Sequence, residues 1–326
     1  MKAIVINQYG GADQLIIKEI PTPEPVEGEV LVRIKAFGVN RAETYMRRGL
    51  WGDVASVSGI ECVGEVAKDP SGLMPEGQAV AAIMGGMGRT RNGSYAEFTT
   101  IAAENLIPVE TDLSWPELAA IPESYATAWS CLYGNMRVKP GDSVFIRGGT
   151  SALGQAAINI AANIDDVTVF SSTRNEANVN ILKGIGCHEV FIEDGNINAQ
   201  FRRTYPQGVD CLMDIVGNTT LIDSMKMVRK NGFVCNAGFL GGGEPIIFNP
   251  LTDMPSTVNL NFFASYLLGT RDFPISDIPM QSIVDKVADG VYMAKPSKVF
   301  NFKDIALAHE LMEKNVAIGK IVVCQS

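Results

Sequence analysis

The sequence predicts an α/β protein in two parts, a β-rich N-terminal domain followed by a doubly wound parallel sheet. The chain has 326 residues, more than one domain usually contains, so two domains with sizeable cores are expected. Up to about residue 120, short apolar runs are separated by glycine and proline clusters, which is typical of short β-strands. From about residue 138, strands alternate with helical segments, and this order favours parallel strands joined by helices.

The strands of the N-terminal part are predicted from alternation. In EVLVRIKAFGV, every second residue from Val30 to Ala36 is apolar and is expected to face inward, while Leu31, Arg33 and Lys35 lie on the other face. Further strands are expected in IECVGEV, QAVAAIM and SYAEFTTI, between turn clusters such as DPSGLMPEG and GGMGRTRNG. Strands this short indicate a barrel-like or sandwich domain.

The second part is predicted to repeat strand, turn and helix. Its strands are VFI, VTVF, EVFI, DCLMDIV and FVCNAG, and its helices are ALGQAAINIAANI and a segment near residues 176–183. After these, NFFASYLLGT is expected to form one more strand, and SIVDKVADGV and ALAHELMEKN two helices. The last run, KIVVC, is expected to return to the N-terminal domain.

Charge and composition exclude several classes of function. The chain has 27 Lys and Arg against 36 Asp and Glu, a net charge of −9, and an acidic surface repels nucleic acid and anionic lipid. No apolar run is long enough to span a bilayer, and the start, MKAIVINQYGG, lacks the apolar core of a signal peptide. The six cysteines are far apart and mostly within apolar runs, as reduced thiols are. We therefore expect a cytoplasmic protein without a nucleic-acid or membrane partner.

The stretch IRGGTSALGQAA, from Ile146 to Ala157, stands where a phosphate-binding turn would join a strand to a helix. Gly149, Ser151 and Gly154 occupy the three positions of the dinucleotide fingerprint. The Ser151 hydroxyl could donate to a phosphate oxygen, and the amides at the start of the following helix would face the phosphates. An ordinary glycine-rich turn is the alternative. The cofactor-binding residues predicted here are Gly149, Thr150, Ser151, Ala152, Leu153 and Gly154.

The end of the next strand indicates which dinucleotide is bound. VTVF is followed by Ser171, Ser172, Thr173 and Arg174, about 20 residues past the turn, where an NAD-binding chain would have an acidic residue on the ribose. No acidic residue stands there, and hydroxyls with a guanidinium suit a 2′-phosphate. The sequence therefore predicts NADP(H), bound in part by Ser171, Ser172 and Arg174. The alternative is that Arg174 is only a solvated residue at a helix start.

Taken end to end, the chain resembles the medium-chain dehydrogenase/reductases, and among them the zinc-independent, zeta-crystallin-like quinone oxidoreductases. The landmarks that carry the resemblance follow in order: GEVLVRIKAFGVNRAETYMRRG, GIECVGEV, GSYAEF, VKPGDSVFIRGGTSALGQAA, STRNEANVNILKGIGCHEVF, MDIVGN, KNGFVCNAGF and AHELMEKNVAIGKIVV. The resemblance implies a GroES-like catalytic domain of residues 1–120 with 290–326, and a Rossmann NADP(H)-binding domain of residues 121–289. It also implies that substrate and nicotinamide meet in a cleft between them.

The resemblance also allows a test for zinc. Where zinc-dependent relatives carry their catalytic ligands, this chain has Asn40, Ile60 and the stretch around Glu123, and only Glu61 of the Gly-His-Glu motif is present. The lobe with four clustered cysteines is missing, and neither histidine has ligand spacing with a cysteine. No metal is therefore expected. Without a Lewis acid, hydride addition to a conjugated acceptor is easier than ketone reduction, because its charge spreads into an enolate or hydroquinone.

Other site residues are carried over from the family by position. Asn40 and Tyr45 match the catalytic cleft residues, with Tyr45 donating to the substrate oxygen and Asn40 orienting substrate or nicotinamide, and Trp51 matches an aromatic wall. The structural alternatives are that Asn40 caps a turn, that Tyr45 is only packed, and that Trp51 is a core residue. The remaining cofactor-binding residues implied by the resemblance are Thr127, Gly217, Ala237, Gly238, Phe239 and Leu240.

The predicted function is NADPH-dependent reduction of a quinone or an α,β-unsaturated carbonyl without zinc. One alternative is an enoyl-thioester reductase of the same superfamily, for which Arg47, Arg48, Arg89 and Arg91 are candidates for a basic groove that binds the carrier phosphates. Another is a non-catalytic NADPH-binding sensor or structural protein. The family resemblance also implies a homodimer formed through an edge strand, in the segment Asn261 to Thr270.

Overall fold

The computed structural model of the protein describes residues 1–325. The strands are β1 (Lys2–Ile6), β2 (Leu15–Glu19), β3 (Glu29–Val39), β4 (Glu61–Lys68), β5 (Ala79–Ile83), β6 (Phe98–Ala102), β7 (Leu106–Pro108), β8 (Ser143–Arg147), β9 (Thr168–Thr173), β10 (Glu189–Ile192), β11 (Val209–Asp214), β12 (Val228–Asn236), β13 (Asn259–Phe262), β14 (Lys298–Asn301) and β15 (Ile321–Cys324). The α-helices are α1 (Arg41–Arg47), α2 (Trp115–Leu118), α3 (Pro122–Trp129), α4 (Ala152–Ala162), α5 (Val179–Gly184), α6 (Ile197–Thr204), α7 (Leu221–Met227), α8 (Pro250–Asp253), α9 (Met280–Ala288) and α10 (Ile305–Glu313).

The chain divides into two compact units. The first contains Met1–Glu123 and the chain from Tyr266 to the C-terminus, and the second contains Ser124–Ser265. Residues 266–289, which we expected in the cofactor-binding domain, thus belong to the first unit. The reason is local packing: the Gln281 amide exchanges hydrogen bonds of 2.9 and 2.8 Å with the backbone of Glu110, and Ile275 and Ile278 are buried.

The first unit is built on a largely antiparallel sheet in the order β14-β15-β3-β4-β5-β7, with β6 also paired to β3. The predicted return of the C-terminal run is confirmed, because β15 pairs antiparallel with β3 and sets Ile321 opposite Val39. Val30, Val32 and Ile34 are buried as predicted. Leu31, expected on the open face, is buried too, in the middle of the sheet between Lys68 of β4 and Thr100 of β6.

The second unit is a six-stranded parallel sheet in the order β10-β9-β8-β11-β12-β13. This order is that of a doubly wound dinucleotide-binding fold, with its switch point between β8 and β11. One part of its core is aromatic: Phe145, Phe170, Phe191 and Phe201 meet at ring-centroid distances of 5.2 to 6.0 Å. The predicted α/β class, with a doubly wound parallel sheet beside a β-rich unit, is confirmed.

The segment NFFASYLLGT differs from its prediction as one strand. Only its first two residues lie in β13, which runs Asn259–Phe262 at the edge of the parallel sheet. The following residues form a short 3-10 turn, Ser265–Leu267, and a hairpin-like bridge between Thr270 and Phe273. Gly269, with a φ of 83°, sits in this bend, where a residue with a side chain would be strained.

A membrane-spanning helix is not found within residues 1–325, where every helix is too short or too polar to cross a bilayer.

Candidate active site

The turn after β8 is shaped by Ser151, which caps α4. Its hydroxyl donates to the Gly148 carbonyl at 2.8 Å and accepts from the Gly154 amide at 3.0 Å. The hydroxyl that we expected to donate to a phosphate is therefore engaged within the turn. The amides of Ala152 and Leu153, in the first turn of α4, have no acceptor inside the helix. These two amides remain the donors that a phosphate would meet.

Two glycines in this turn are required by close packing and a third by its backbone conformation. A Cβ at Gly154 would come within 2.5 Å of the Gly148 carbonyl and 2.7 Å of the Gly149 Cα. A Cβ at Gly149 would collide with the Ser171 hydroxyl. Gly148, which the sequence interpretation did not single out, has a φ of 92° and makes the bend. Helix α4 and strand β8 thus approach each other as closely as a dinucleotide-binding turn needs, and the residues of this turn fit NADP(H).

The residues at the end of β9 differ in what they offer to a 2′-phosphate. Ser171 is fully buried and donates to the Ile146 carbonyl at 2.7 Å. Ser172 is buried and donates to Glu193 at 3.3 Å. The Arg174 side chain is exposed, and no hydrogen bond or ion pair engages it in the described chain. Of the three residues predicted to bind this phosphate, Arg174 is the one whose side chain is available.

Glu193, which follows β10, places a carboxylate beside this strand end. Its two oxygens accept from the Arg147 guanidinium, at 3.0 Å and 2.5 Å. Arg147 is fully buried, and its remaining donor also reaches Asp223 at 2.8 Å and the Ser224 hydroxyl at 3.0 Å. The bidentate pair neutralises Glu193, so its charge opposes a neighbouring phosphate less than a free carboxylate would.

The loops after β11 and β12 are packed against each other. Buried Asp214 accepts from the amides of Val216 and Gly217, both at 2.9 Å, and from the Ser224 hydroxyl at 2.6 Å. Burial raises the pKa of Asp214, and these donors oppose the rise. A Cβ at Gly238 would collide with the Ile215 carbonyl, so glycine is needed there for packing of the two loops rather than for open space.

The other predicted cofactor residues are spread over three elements of the second unit. Phe239 and Leu240 are exposed beyond the end of β12, next to half-buried Ala237, and the Phe239 ring lies 5.5 Å from Phe262. Thr150 is half-buried in the turn before α4. Thr127 is buried within α3. Their roles in cofactor binding stay predictions.

In the first unit, Asn40 connects a group of buried charges. It caps α1: its backbone amide donates to Glu43 at 2.7 Å. Its side-chain amide donates to Glu61 at 2.9 Å, and its carbonyl accepts from Lys320 at 2.6 Å. Burial raises the pKa of Glu43 to about 8, with Lys320 opposing the rise. Both the amide and the carbonyl of the Asn40 side chain therefore bind protein groups, and the residue holds the start of α1 in place.

Lys320, which precedes β15, was not found from the sequence. Its ammonium contacts Glu61 at 2.5 Å and lies 3.9 Å from Glu123. Asn40, Glu61 and Glu123 are the residues that stand at or beside the ligand positions of zinc-dependent relatives, and here a lysine cation lies among them. No cluster of three or more His, Cys, Asp or Glu suited to a metal occurs within residues 1–325. No short sequence motif could have identified Lys320, because its partners are some 200 to 280 residues away in sequence.

Tyr45 lies on α1 and is half-buried. Its ring is 5.5 Å from the ring of Trp51, at an angle of 46°. Burial raises the pKa of Tyr45 above its ordinary value, with Arg41 and Arg48 opposing the rise. The phenol therefore stays protonated at neutral pH and is able to donate a hydrogen bond. Trp51 is partly exposed rather than a core residue.

The four arginines proposed for a basic groove are not equivalent. Arg47 is fully buried and pairs with Glu313. Arg91 pairs with Glu29 at 2.7 Å. Arg48 and Arg89 have no carboxylate partner within the described residues. The four arginines therefore do not form one groove, and only Arg48 and Arg89 are left to bind a carrier phosphate.

Two protein-family models match the chain. The alcohol dehydrogenase GroES-like domain matches residues 26–111, and the zinc-binding dehydrogenase domain matches residues 185–323. The quinone oxidoreductase of Homo sapiens is 28% identical, with 99% of this chain and 97% of that protein aligned. The 2-haloacrylate reductase of a Burkholderia species is 27% identical, with 98% of each chain aligned.

A solved structure shares the whole fold. The Escherichia coli quinone oxidoreductase complexed with NADPH superposes with a TM-score of 0.87 at 20% identity, covering 99% of this chain and 100% of that chain. The GroES-like match falls in the antiparallel unit, and the parallel sheet has the dinucleotide-binding strand order. From this agreement of family models, relatives and fold, the chain belongs to the medium-chain dehydrogenase/reductase superfamily, in its quinone oxidoreductase branch.

Proposed function

We propose that the protein is an NADPH-dependent oxidoreductase that reduces a quinone or an α,β-unsaturated carbonyl without zinc. The names of its relatives support this, since they include quinone oxidoreductases and a 2-haloacrylate reductase. Two structures of the same fold were solved with NADPH bound. The observation in this chain that carries the proposal is the tightly packed turn at α4 with an exposed, unpaired Arg174 at the end of the next strand.

In the proposed site the second unit holds the cofactor. The amides of Ala152 and Leu153 receive the pyrophosphate, and the Arg174 guanidinium receives the 2′-phosphate. Bound NADPH supplies a hydride, that is, two electrons and one proton, to the acceptor. The Arg147 pair holds the Glu193 carboxylate neutralised beside the phosphate site.

Tyr45 is the proposed donor on the acceptor side. Addition of hydride to a conjugated carbon moves an electron pair toward the carbonyl oxygen, which becomes an enolate or hydroquinone oxyanion. The protonated Tyr45 phenol stabilises that oxygen by donating a hydrogen bond, and Trp51 offers a flat apolar surface to a conjugated ring or chain. Water then delivers the proton that completes the reduction. Asn40 acts by holding the start of α1, on which Tyr45 is carried.

Lys320 supports the absence of zinc from the reaction. Its ammonium already neutralises Glu61 and contacts Asn40, two side chains at or beside the positions where zinc-dependent relatives carry their ligands. Binding of Zn²⁺ there would leave two cations beside each other in a buried place, which is costly. The acceptors proposed here need no Lewis acid, because the developing charge is delocalised.

The test is the loss of reduced-nicotinamide absorbance with metal-chelated protein, using NADPH and NADH in parallel. An ortho-quinone, a 2-alkenal and a simple ketone are the acceptors. We expect oxidation with quinone or alkenal, faster with NADPH, and none with the ketone. Ketone reduction that chelation abolishes would contradict the zinc-free proposal. NADPH binding without turnover on any acceptor would favour the sensor alternative.

We also propose that the protein is a homodimer through β13. This strand is an edge of the parallel sheet, and it exposes Leu260 and Phe262. A bare edge strand with apolar side chains is normally covered in solution.

A further inference from the structure

Arg89 lies over two aromatic rings in the first unit. Its guanidinium carbon is 5.3 Å from the centre of the Trp51 ring and 5.0 Å from the centre of the Tyr266 ring. Trp51 also contacts the ring of Tyr45, at 5.5 Å. The cation and the proposed oxygen donor are therefore connected through one aromatic side chain. We name these four residues, Tyr45, Trp51, Arg89 and Tyr266, the aromatic–arginine cluster.

The backbone around Arg89 is held in place by a glycine-rich loop. The Gly86 carbonyl accepts from the amides of Arg89, Thr90 and Arg91, at 3.0 to 3.2 Å. The Arg89 carbonyl accepts from the Ala55 amide at 2.9 Å, which ties the loop to the segment after Trp51. Gly88, with a φ of 71°, packs so closely that a Cβ would lie 3.1 Å from the Gly59 nitrogen. The loop thus presents Arg89 from an ordered position.

The charge of Arg89 has no protein partner. Within residues 1–325, no carboxylate lies within ion-pair distance of its guanidinium, and its N–H groups donate to no protein atom. By contrast, the neighbouring Arg91 pairs with Glu29 at 2.7 Å. Aromatic rings attract a cation at their faces but give no oxygen to its in-plane N–H groups. The planar donor fork of Arg89 is therefore oriented by its rings and left open for an oxyanion.

We infer that Arg89 binds an anionic oxygen group of the acceptor, a carboxylate or a phosphate, while Tyr45 donates to the acceptor's carbonyl oxygen. This inference rests on the proposed function and narrows it: the preferred acceptors are conjugated carbonyl compounds that carry a negative charge. A guanidinium binds such groups through two parallel hydrogen bonds, which gives both orientation and affinity. The intervening Trp51 ring supports the conjugated part of the acceptor.

The experiment compares two acceptors that differ by one charge, β-acetylacrylic acid and its methyl ester. In Arg89→Met we expect the KM for the acid to rise about tenfold to a hundredfold, since charge-assisted hydrogen bonds are lost. The KM for the ester should change less than about threefold, and kcat should change little for either compound. Arg89→Lys, which keeps the charge but not the fork, should give an intermediate result.

Arg33→Met is the matched control. Arg33 also lies over a ring, that of Phe98 at 5.7 Å, and is exposed without a carboxylate partner. This variant should leave the ratio of the two KM values unchanged. If Arg89→Met raises the KM values of the acid and the ester equally, Arg89 has only a structural role and the inference is wrong.

A second pair of acceptors identifies the source of the anion. Crotonyl coenzyme A carries phosphates, and the crotonyl thioester of N-acetylcysteamine is neutral. If Arg89→Met weakens the use of crotonyl coenzyme A but not of β-acetylacrylic acid, the bound group is a carrier phosphate. The opposite pattern identifies a carboxylate. If Arg89→Met weakens the use of neither acceptor, the inference is wrong.

Direct binding separates this inference from the proposed function. Levulinic acid has the ketone and the carboxylate but no conjugated double bond, and its binding is measured by calorimetry with and without NADP⁺. Binding that is lost in Arg89→Met, together with no turnover of any acceptor, would retain the site and reject the reductase. Turnover of the methyl ester, with levulinic acid binding equally to both proteins or to neither, would retain the reductase and reject the site.

Discussion

At the residue scale, the cofactor preference depends on which polar side chains at the end of β9 are still available. Ser171 and Ser172 donate to protein acceptors, Ile146 and Glu193, so their hydroxyls are engaged. Arg174 is exposed and unpaired in the described chain. The predicted 2′-phosphate site at the end of β9 therefore depends on Arg174 for most of its affinity.

Arg174→Ala is therefore expected to weaken NADPH binding about tenfold to a hundredfold, the usual effect of losing hydrogen bonds between charged groups. NADH, which lacks the 2′-phosphate, should bind with nearly unchanged affinity. The measurement is a titration of nicotinamide fluorescence with each cofactor. Arg203→Ala, at an exposed arginine of α6, is the control and should change neither affinity. Equal losses for NADPH and NADH would contradict a phosphate contact at Arg174.

At the element scale, β15, α1 and the start of β4 are joined by buried charges. Lys320 is 4% exposed and contacts Glu61 at 2.5 Å and Asn40 at 2.6 Å. Gly38 on β3 makes room for the pair, because a Cβ there would collide with both side chains. The position of α1, and of Tyr45 on it, thus depends on a cation supplied from the end of the chain.

Lys320→Met is expected to lower the free energy of unfolding by about 3 to 5 kcal/mol, because it leaves buried carboxylates without their cation. The surface pair Lys35 and Glu65, at 3.0 Å and with 29% of each side chain exposed, gives the control. Lys35→Met should cost less than about 1 kcal/mol. Urea unfolding followed by tryptophan fluorescence measures both. Similar small losses in the two variants would mean that the buried pair is not needed for the fold.

Helix α10 is attached to the sheet by a buried polar contact between His309 and Tyr95. The ring nitrogen Nε2 lies 2.9 Å from the Tyr95 hydroxyl, and both residues are fully buried. Burial, together with the nearby charge of buried Arg47, lowers the pKa of His309 to about 3. In the unfolded chain the imidazole has a pKa of about 6.5, so the folded state binds its proton less readily.

The lowered pKa of His309 makes the stability of the protein depend on pH. Above about pH 6.5 the imidazole is neutral in both states, and as the pH falls below that value only the unfolded chain takes up the proton. Stability should therefore fall by about 1.4 kcal/mol per pH unit between about pH 6 and about pH 4 on account of His309. His309→Gln should remove this contribution from the slope measured by urea unfolding. His188→Gln, at the exposed histidine, should keep the wild-type slope. Identical slopes in all three proteins would show that folding does not lower the pKa of His309.

At the scale of the whole molecule, the proposed dimer depends on a strand of only four residues. Phe262 on β13 is 51% exposed and contacts the exposed Phe239. Association through this edge would continue the parallel sheet of the second unit into a second copy.

Phe262→Arg is expected to convert a dimer of 35.1 kDa chains into monomers, because a charge on the edge opposes pairing. Light scattering coupled to size-exclusion chromatography gives the mass. Leu73→Arg, at an apolar residue 86% exposed in a turn of the first unit, is the control and should leave the mass unchanged. A wild-type protein that is monomeric, or a Phe262→Arg variant that stays dimeric, would reject this interface.

The sequence by itself determined the fold class and the strand, turn and helix at Ser151, because these depend on local periodicity and short motifs. It also predicted that KIVVC returns to the N-terminal domain, but only the structure showed that β3 is its partner. It did not reveal that the hydroxyls of Ser151 and Ser171 donate to backbone carbonyls of the protein. Nor did it reveal that the strand within NFFASYLLGT ends at Phe262. Only the tertiary structure decided that Lys320 neutralises Glu61, that Arg147 holds Glu193, and that Arg89 lies over Trp51 and Tyr266. The physical reason is that burial and charge pairing depend on which distant segments the sheets bring together, and no local pattern in the chain encodes those partners.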